Sequence, residues 1–378
     1  MAAVAPNAPV TSKGAVPGTT WARARLRLGI ASVGTLVVGS IALLATRVPE
    51  KLLPASTAWT SGDILWLGLL VAAYVVVSAP FDLVGGLILP RRFHRMGVEP
   101  AHWVRLWLRG VLVHGACLLV TALALLAAGR AGGEAAAVGV VLAVMAVLLA
   151  AQVYVADLVG GVHRKGDRLR ASDASFVGGI AGVPGFDRVW LSDAWDDRIA
   201  RVQRFRRDAV RRSGSRALGV IIALVFDLAG LVLALVATSA STTSVAGVAT
   251  LSLWATIWSF LGLLVLPSLS RGAVIAADSA AVRQGCASAE VEHALRALDR
   301  EQEDEPARRR LVETIFHPVP SLDRRLAALA TGTSPPLPRP WNTARTALFL
   351  SWASLGLLSR AVHCNCGRPE LWALFPGD

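Results

Sequence analysis

Charge is scarce in this chain. Aspartate, glutamate, lysine and arginine together make up 17% of its 378 residues, whereas 54% are hydrophobic. A soluble domain carries ~25% charged residues. The shortfall excludes a wholly water-soluble chain and points to an integral membrane protein. Lysine is almost missing: Lys13, Lys51 and Lys165 are the only three, so arginine carries the net charge of +12. With alanine, valine, leucine and glycine abundant, that bias points to a GC-rich, bacterial source. In a multi-pass chain an arginine excess is the mark of cytoplasmic loops, and no nucleic-acid partner is expected. Cysteine is too sparse for a disulfide framework. Cys117 falls in an apolar run, Cys286 in a polar one, and Cys364 and Cys366 form a lone CxC too small for a metal site by itself. No cleavable signal peptide is expected, because the first apolar stretch is of spanning length and lacks a small-residue cleavage site after it. The glycine-rich run from Phe176 to Phe186 has no GKS or GKT and no βαβ context, so it reads as a turn and hairpin, not a phosphate loop.

What the chain has instead is long apolar runs. A span needs ~20 mostly apolar residues, and about seven intervals qualify: Leu28 to Thr46, Ile64 to Leu83, Gly110 to Ala128, Val138 to Val159, Ala217 to Ala237, Val245 to Leu266 and the weaker Ala344 to Leu358. The architecture expected is a mainly α, multi-pass membrane protein with a small extramembrane α+β part. Residues 1–27 form a disordered leader, 28–159 spans one to four, 160–216 a soluble segment, 217–267 spans five and six, 268–342 a second soluble segment, and 343–378 a seventh span and tail. Arginines crowd the leader, the connection after the second span and 160–216, while the connections after the first, third and fifth spans are nearly uncharged. The positive-inside rule then puts the N-terminus and both soluble segments in the cytoplasm, and an odd number of spans carries the tail outside. Ser175 to Val189 reads as a hairpin, Val189 to Arg212 as a helix, and Ala273 to Leu298 shows a helical period.

Just before the fifth span, Arg207-Asp208-Ala209-Val210-Arg211 has the outline of an HExxH helix, in which histidines at i and i+4 hold zinc and the glutamate acts as general base. Both ligand positions are arginine, a cation with no lone pair to donate. Other landmarks surround it. The stretch from Ile88 to Val113 is similar to a basic connection followed by a tryptophan-led helix start. FVGGIAGVPGFDRVWLSDAW presents Gly182, Arg188, Val189, Leu191 and Asp193 as in a hairpin and helix start. SRGAVIAADSAAVRQG presents Ser270, Arg271, Ala277, Asp278, Ala281 and Gly285, and FHPVPSLDRRLAAL presents His317, Pro318, Ser321, Arg324 or Arg325, and Leu329.

In this order the chain from about Leu83 to Leu329 resembles the integral-membrane metallopeptidases of family 48, the group containing the heat-shock protease HtpX and the type I CAAX prenyl proteases. The resemblance implies a gluzincin-like domain and zinc. It also implies that Arg207 and Arg211 replace the zinc histidines, Asp208 the general-base glutamate, and Val274 the third ligand. Asp278, which in the family supports a zinc-bound histidine, and His317, near the family's cleft, are retained. With every ligand replaced, no zinc or other cofactor is expected, and the retained residues suggest an inherited frame. The expectation is a membrane pseudopeptidase that binds or regulates a membrane-protein or peptide client in the lipid bilayer of the cell membrane. An active zinc endopeptidase with displaced ligands and an unrelated transporter are the alternatives.

Arg207 and Arg211, with Arg204 and Arg206, are also readable as an anion site; a solvated basic helix end at the membrane edge is the plainer reading and is favoured. Asp208 is expected in an ion pair with Arg204, Arg211 or Arg212. Asp227 stands in mid-span, where an ionisable group is costly and belongs in the bundle interior. A structural hydrogen bond and a functional polar site, with His114 as partner, balance evenly. The spacing of His163, His293 and His317 resembles no ligand set.

Overall fold

A computed structural model describes residues 20–95, 99–238, 241–302, 304–351 and 365–372, and within them the chain is mainly helical with one small sheet. In order come α1 (Trp21–Ala45), α2 (Val48–Leu52), α3 (Ser61–Leu83), a π turn (Val84–Ile88), α4 (Leu89–Arg92) and α5 (Pro100–Gly160). Strands β1 (His163–Lys165), β2 (Arg168–Arg170), β3 (Gly179–Ala181) and β4 (Arg188–Ser192) follow, then α6 (Asp197–Arg212), α7 (Ser215–Thr238) and α8 (Val245–Arg283). The last described elements are α9 (Ser288–Gln302), α10 (Arg310–Phe316), α11 (Leu322–Thr331), α12 (Thr343–Leu350) and a 3-10 turn (Pro369–Leu371). Five helices are long and apolar enough to cross a membrane: α1, the run from α3 through α4, α5, α7 and α8.

At ~1.5 Å per residue a straight α5 would run ~90 Å, about three times a bilayer core. It does not run straight. Gly133 takes φ 68° and ψ −161°, a conformation that glycine tolerates and other residues do not. Arg109 in the first half donates to the carbonyl oxygens of Leu158 at 2.8 Å and Asp157 at 2.7 Å. Residues so far apart in sequence meet only if the helix doubles back, so α5 is an antiparallel hairpin. The apolar intervals Gly110 to Ala128 and Val138 to Val159 fall one on each half. Around the turn, Arg130 binds Asp63 at 2.8 Å and the Thr243 carbonyl at 2.8 Å, and Glu134 accepts from Thr242 N at 3.0 Å, tying α3, α5 and the α7–α8 connection together.

The seventh interval behaves differently. Only α12, eight residues long, represents it; residues 352–364, with the rest of the interval and Cys364, lie outside the described residues. Thr343 N donates to Ser270 Oγ at 3.0 Å, and Ser351 Oγ accepts from Ser259 Oγ at 3.4 Å. The segment therefore descends beside α8 from Ser270 to Ser259, ~16 Å of helix. Residues 365–372 are back at the end where α12 began. Asn365 meets Arg25, Arg368 pairs with Asp173, and Gly367 N donates to Asp82 Oδ1 at 2.8 Å. The docked tail thus lies at the end that also holds Trp21 and the sheet. The lack of a side chain at Gly86, in the π turn, allows the close approach, since a Cβ there would stand 2.0 Å from the Gly367 carbonyl oxygen.

At that end the sheet has the order β1-β2-β4-β3, with β2 and β4 parallel and the other pairs antiparallel. The β3–β4 hairpin spans the glycine-rich run. The helix expected from Val189 starts only at Asp197, because Val189 to Leu191 pair within β4 and Asp196 caps the helix, its Oδ1 accepting from Ile199 N at 2.8 Å. Residues from both polar segments share one apolar core: Leu191, Trp195, Ile199 and Val202 from the first pack with Val291, Leu295, Leu298 and Leu322 from the second.

Docking of the tail engages two carboxylates of opposite pH response, Asp173 between β2 and β3 and Glu370 in the tail itself. Burial raises the pKa of the Asp173 carboxyl, but the charge and hydrogen bonds of Arg368 outweigh it and hold the group below its ordinary value. Burial, then the Asp173 charge, pushes Glu370 up. Glu370 therefore favours docking fully below its unfolded value of ~4.3, and this contribution fades as pH rises through its raised folded value. Asp173 favours docking above ~3.9 and loses its contribution as pH falls through its lowered one. Amide exchange in 365–372, corrected for intrinsic rate, should be slowest in mildly acidic solution. A steady slowing from acid to pH 8 would contradict this assignment.

Candidate functional site

Helix α6 carries the HExxH-like pentapeptide and lies against α8. Its apolar positions Ile199, Val202 and Val210 are buried, as the helical period requires. Arg206 and Arg207 are buried as well, each 0% exposed. This overturns the reading of a solvated basic helix end for these two, whereas Arg204 and Arg211 are exposed as that reading expects. It also overturns the reading of four arginines gathered round one anion, because the side chains diverge. Arg204 pairs with Asp167 and Arg206 with Asp278, while Arg207 reaches the sheet and Arg211 turns to Asp208 at 3.1 Å and the Asp187 carbonyl at 3.4 Å.

The centre is Asp278, 1% exposed. Its Oδ1 accepts from Arg206 Nε at 2.7 Å and from Arg325 Nη2 at 2.8 Å, and its Oδ2 accepts from Arg325 Nε at 2.8 Å. One carboxylate thus joins α6, α8 and α11. Arg207 is held differently, donating from Nη1 to the Trp190 carbonyl at 2.8 Å and from Nη2 to the Val177 carbonyl at 2.6 Å, with its guanidinium 5.2 Å from the Trp195 ring. Burial, then the adjacent Arg206 charge, pulls its pKa down to about 9, so it stays a cation at neutral pH.

Val274, 4% exposed, packs with Val210, Ile180, Ala273 and Ala277. The positions that the resemblance assigns to ligands and base thus lie on the facing helices α6 and α8, where they form a latch to the Trp190 and Val177 carbonyls (Arg207), a local ion pair (Asp208 with Arg211) and part of an apolar core (Val274). This donor set does not fit zinc. Among the described residues no group of three or more His, Cys, Asp or Glu is placed to hold a metal. His317 ends α10, where its carbonyl accepts from Arg271 Nε at 3.1 Å, and its side chain lines a cavity of about 50 Å3 together with Arg207 and Arg325.

Asp227 and His114 are not brought together. His114 stacks on Trp372 at 5.4 Å. Asp227, 9% exposed, lies in a small pocket with Gly230, Trp258, Met145 and Ser351, and its Oδ2 has no hydrogen-bond partner among the described residues. An apolar residue there loses no bond and removes a polar group from the bundle. Asp227→Leu should raise thermal stability in detergent by about 1–2 kcal/mol. A lower melting temperature than wild type would show that the carboxyl has a structural partner.

Sequence reasoning missed the Asp82 and Asp173 anchors of the tail. Asp82 Oδ2 also accepts from Trp107 Nε1 at 2.9 Å. An aspartate beside the Gly85-Gly86 pair at the end of an apolar run was the available signal. Compared with protein-family models, curated proteins and solved structures, the chain matches none.

Proposed function

We propose that this chain is a membrane pseudopeptidase: a peptidase-like frame of family 48 type that binds a client or partner without hydrolysing it. The observation that carries the reading is Arg207, fully buried and bonded to two carbonyls where the resemblance puts a zinc ligand. A guanidinium so placed donates no electron pair and repels a dication. The packing of α6 on α8 and of Val274 beside Val210 supports descent from such a frame. In this reading six segments cross the cell membrane, α5 supplying two of them, and α12 enters beside α8. The arginine distribution supports a cytoplasmic location for the N-terminus, the sheet and the docked tail. Reporter fusions after Thr20, Arg170, Pro306 and Asp378 should therefore all read cytoplasmic.

The deciding experiment is elemental zinc per chain, with an endopeptidase assay, on protein purified in detergent. Zinc near one per chain with cleavage would overturn the reading in favour of a working peptidase. A second reading, ion-coupled transport through the bundle, is favoured by the unpartnered Asp227 Oδ2. Substrate uptake into proteoliposomes that Asp227→Asn abolishes would establish it.

A further inference from the structure

The cavity under α6 is unusual for its walls. Arg207, Arg308, Arg325 and Arg345 line it with His317, and Asp299 is the acidic residue among the lining groups. Behind the wall stand Arg206, and Asp278, which binds both Arg206 and Arg325. Glu305 lies 3.7 Å from Arg308. Glu305 is shared with Arg23 at 3.1 Å. Arg207 has only neutral carbonyl partners and the Trp195 ring, and its Nε–H has no acceptor among the described residues. Removing an ion from water is costly unless an opposite charge compensates it, and two carbonyls and one ring leave Arg207 a net positive charge.

We propose that this cavity binds a phosphate group, whose negative charge compensates the buried Arg207 guanidinium and whose oxygens accept from Arg207 Nε and its neighbours. The inference deepens the pseudopeptidase reading by giving its former cleft a ligand class. Size agrees. A volume of about 50 Å3 corresponds to roughly four water-sized sites at ~10–15 Å3 each, room for one phosphate and not for a nucleotide. Arg345 lies in α12, which enters the bundle beside α8, so the same chemistry is available from free phosphate or from a lipid phosphomonoester. Guanidiniums on different elements, from α6 to α12, then converge on one anion.

The test is thermal unfolding of the full chain in detergent, titrated with sodium phosphate and, at equal ionic strength, with sodium chloride. A parallel arm uses vesicles of phosphatidylcholine with or without phosphatidate. The wild type should melt higher with phosphate, saturably and beyond the chloride effect. Arg207→Gln should weaken the apparent affinity roughly tenfold or more, the loss of a charge-assisted contact. Because Arg207 also ties β4 to the segment before β3, Arg345→Gln serves as the second variant and should weaken it similarly. Arg211→Gln, whose side chain points to Asp187 and Asp208, should leave the affinity unchanged. A stabilisation seen only with phosphatidate and lost in the same variants supports the site and assigns the lipid source. No gain over chloride in either arm overturns the proposal, as does a gain that Arg207→Gln and Arg345→Gln leave intact. Either failure leaves the zinc measurement, and with it the pseudopeptidase reading, standing.

Discussion

Asp278→Ala should cost the extramembrane domain about 3–5 kcal/mol, the range found when one partner of a buried ion pair is removed. The carboxylate is 1% exposed and engages Arg206 and Arg325 through three hydrogen bonds of 2.7 to 2.8 Å. Truncation leaves two buried guanidiniums without the carboxylate they share, and also removes a side chain that bonds both α6 and α11 to α8. Asp278→Asn keeps the shape but not the charge, so it should lose nearly as much. Replacing all three residues by leucine should recover most of the loss, since an apolar cluster of similar volume needs no compensation. Denaturant unfolding followed by tryptophan fluorescence reads this directly, because Trp190 and Trp195 are buried in the same domain. A change below about 1 kcal/mol for Asp278→Ala would mean that water reaches the triad and that it does not organise the domain.

How far the sequence carried the fold depends on which physical signal each element leaves. Apolar runs of spanning length are decided by local composition, and the first six intervals all lie within long apolar helices. Two of them share α5, where the gap between the intervals holds Arg130, Gly132, Gly133 and Glu134, so the break was legible although α5 runs through it. Of the seventh interval only α12 is described, and hydropathy reports that a segment prefers an apolar setting, not whether it crosses. Burial of the arginines was illegible because it depends on partners far along the chain. Arg206 is compensated by Asp278, and nothing near position 206 announces a carboxylate there. The β3–β4 hairpin was legible through its glycines; the β1–β2 hairpin, three residues per strand and largely exposed, left no alternating pattern to read.

The sharpest test of descent is reconstruction. The variant carrying Arg207→His, Asp208→Glu, Arg211→His and Val274→Glu should take up zinc towards one per chain, while the wild type takes up none. Without metal it should be several kcal/mol less stable than wild type, for two reasons. Arg207→His strands the Trp190 and Val177 carbonyls that the guanidinium now satisfies. Val274→Glu places a carboxylate among Ile180, Val210, Ala273 and Ala277 at a position 4% exposed. Zinc binding should restore much of this loss, because the metal compensates the buried carboxylate and its binding energy becomes folding energy. Affinity should still fall short of a natural site by about 10–100-fold. Asp278, which in the family supports a zinc-bound histidine, is here committed to Arg206 and Arg325, so the new histidines lack that support. Cleavage should stay undetectable, since catalysis needs ligands and base held to within ~0.5 Å by supporting groups. The measurements are zinc per chain and melting temperature with and without zinc, beside a control carrying glutamine at position 274. A folded quadruple variant with no more zinc than that control would remove family 48 descent as the explanation of the α6–α8 contact.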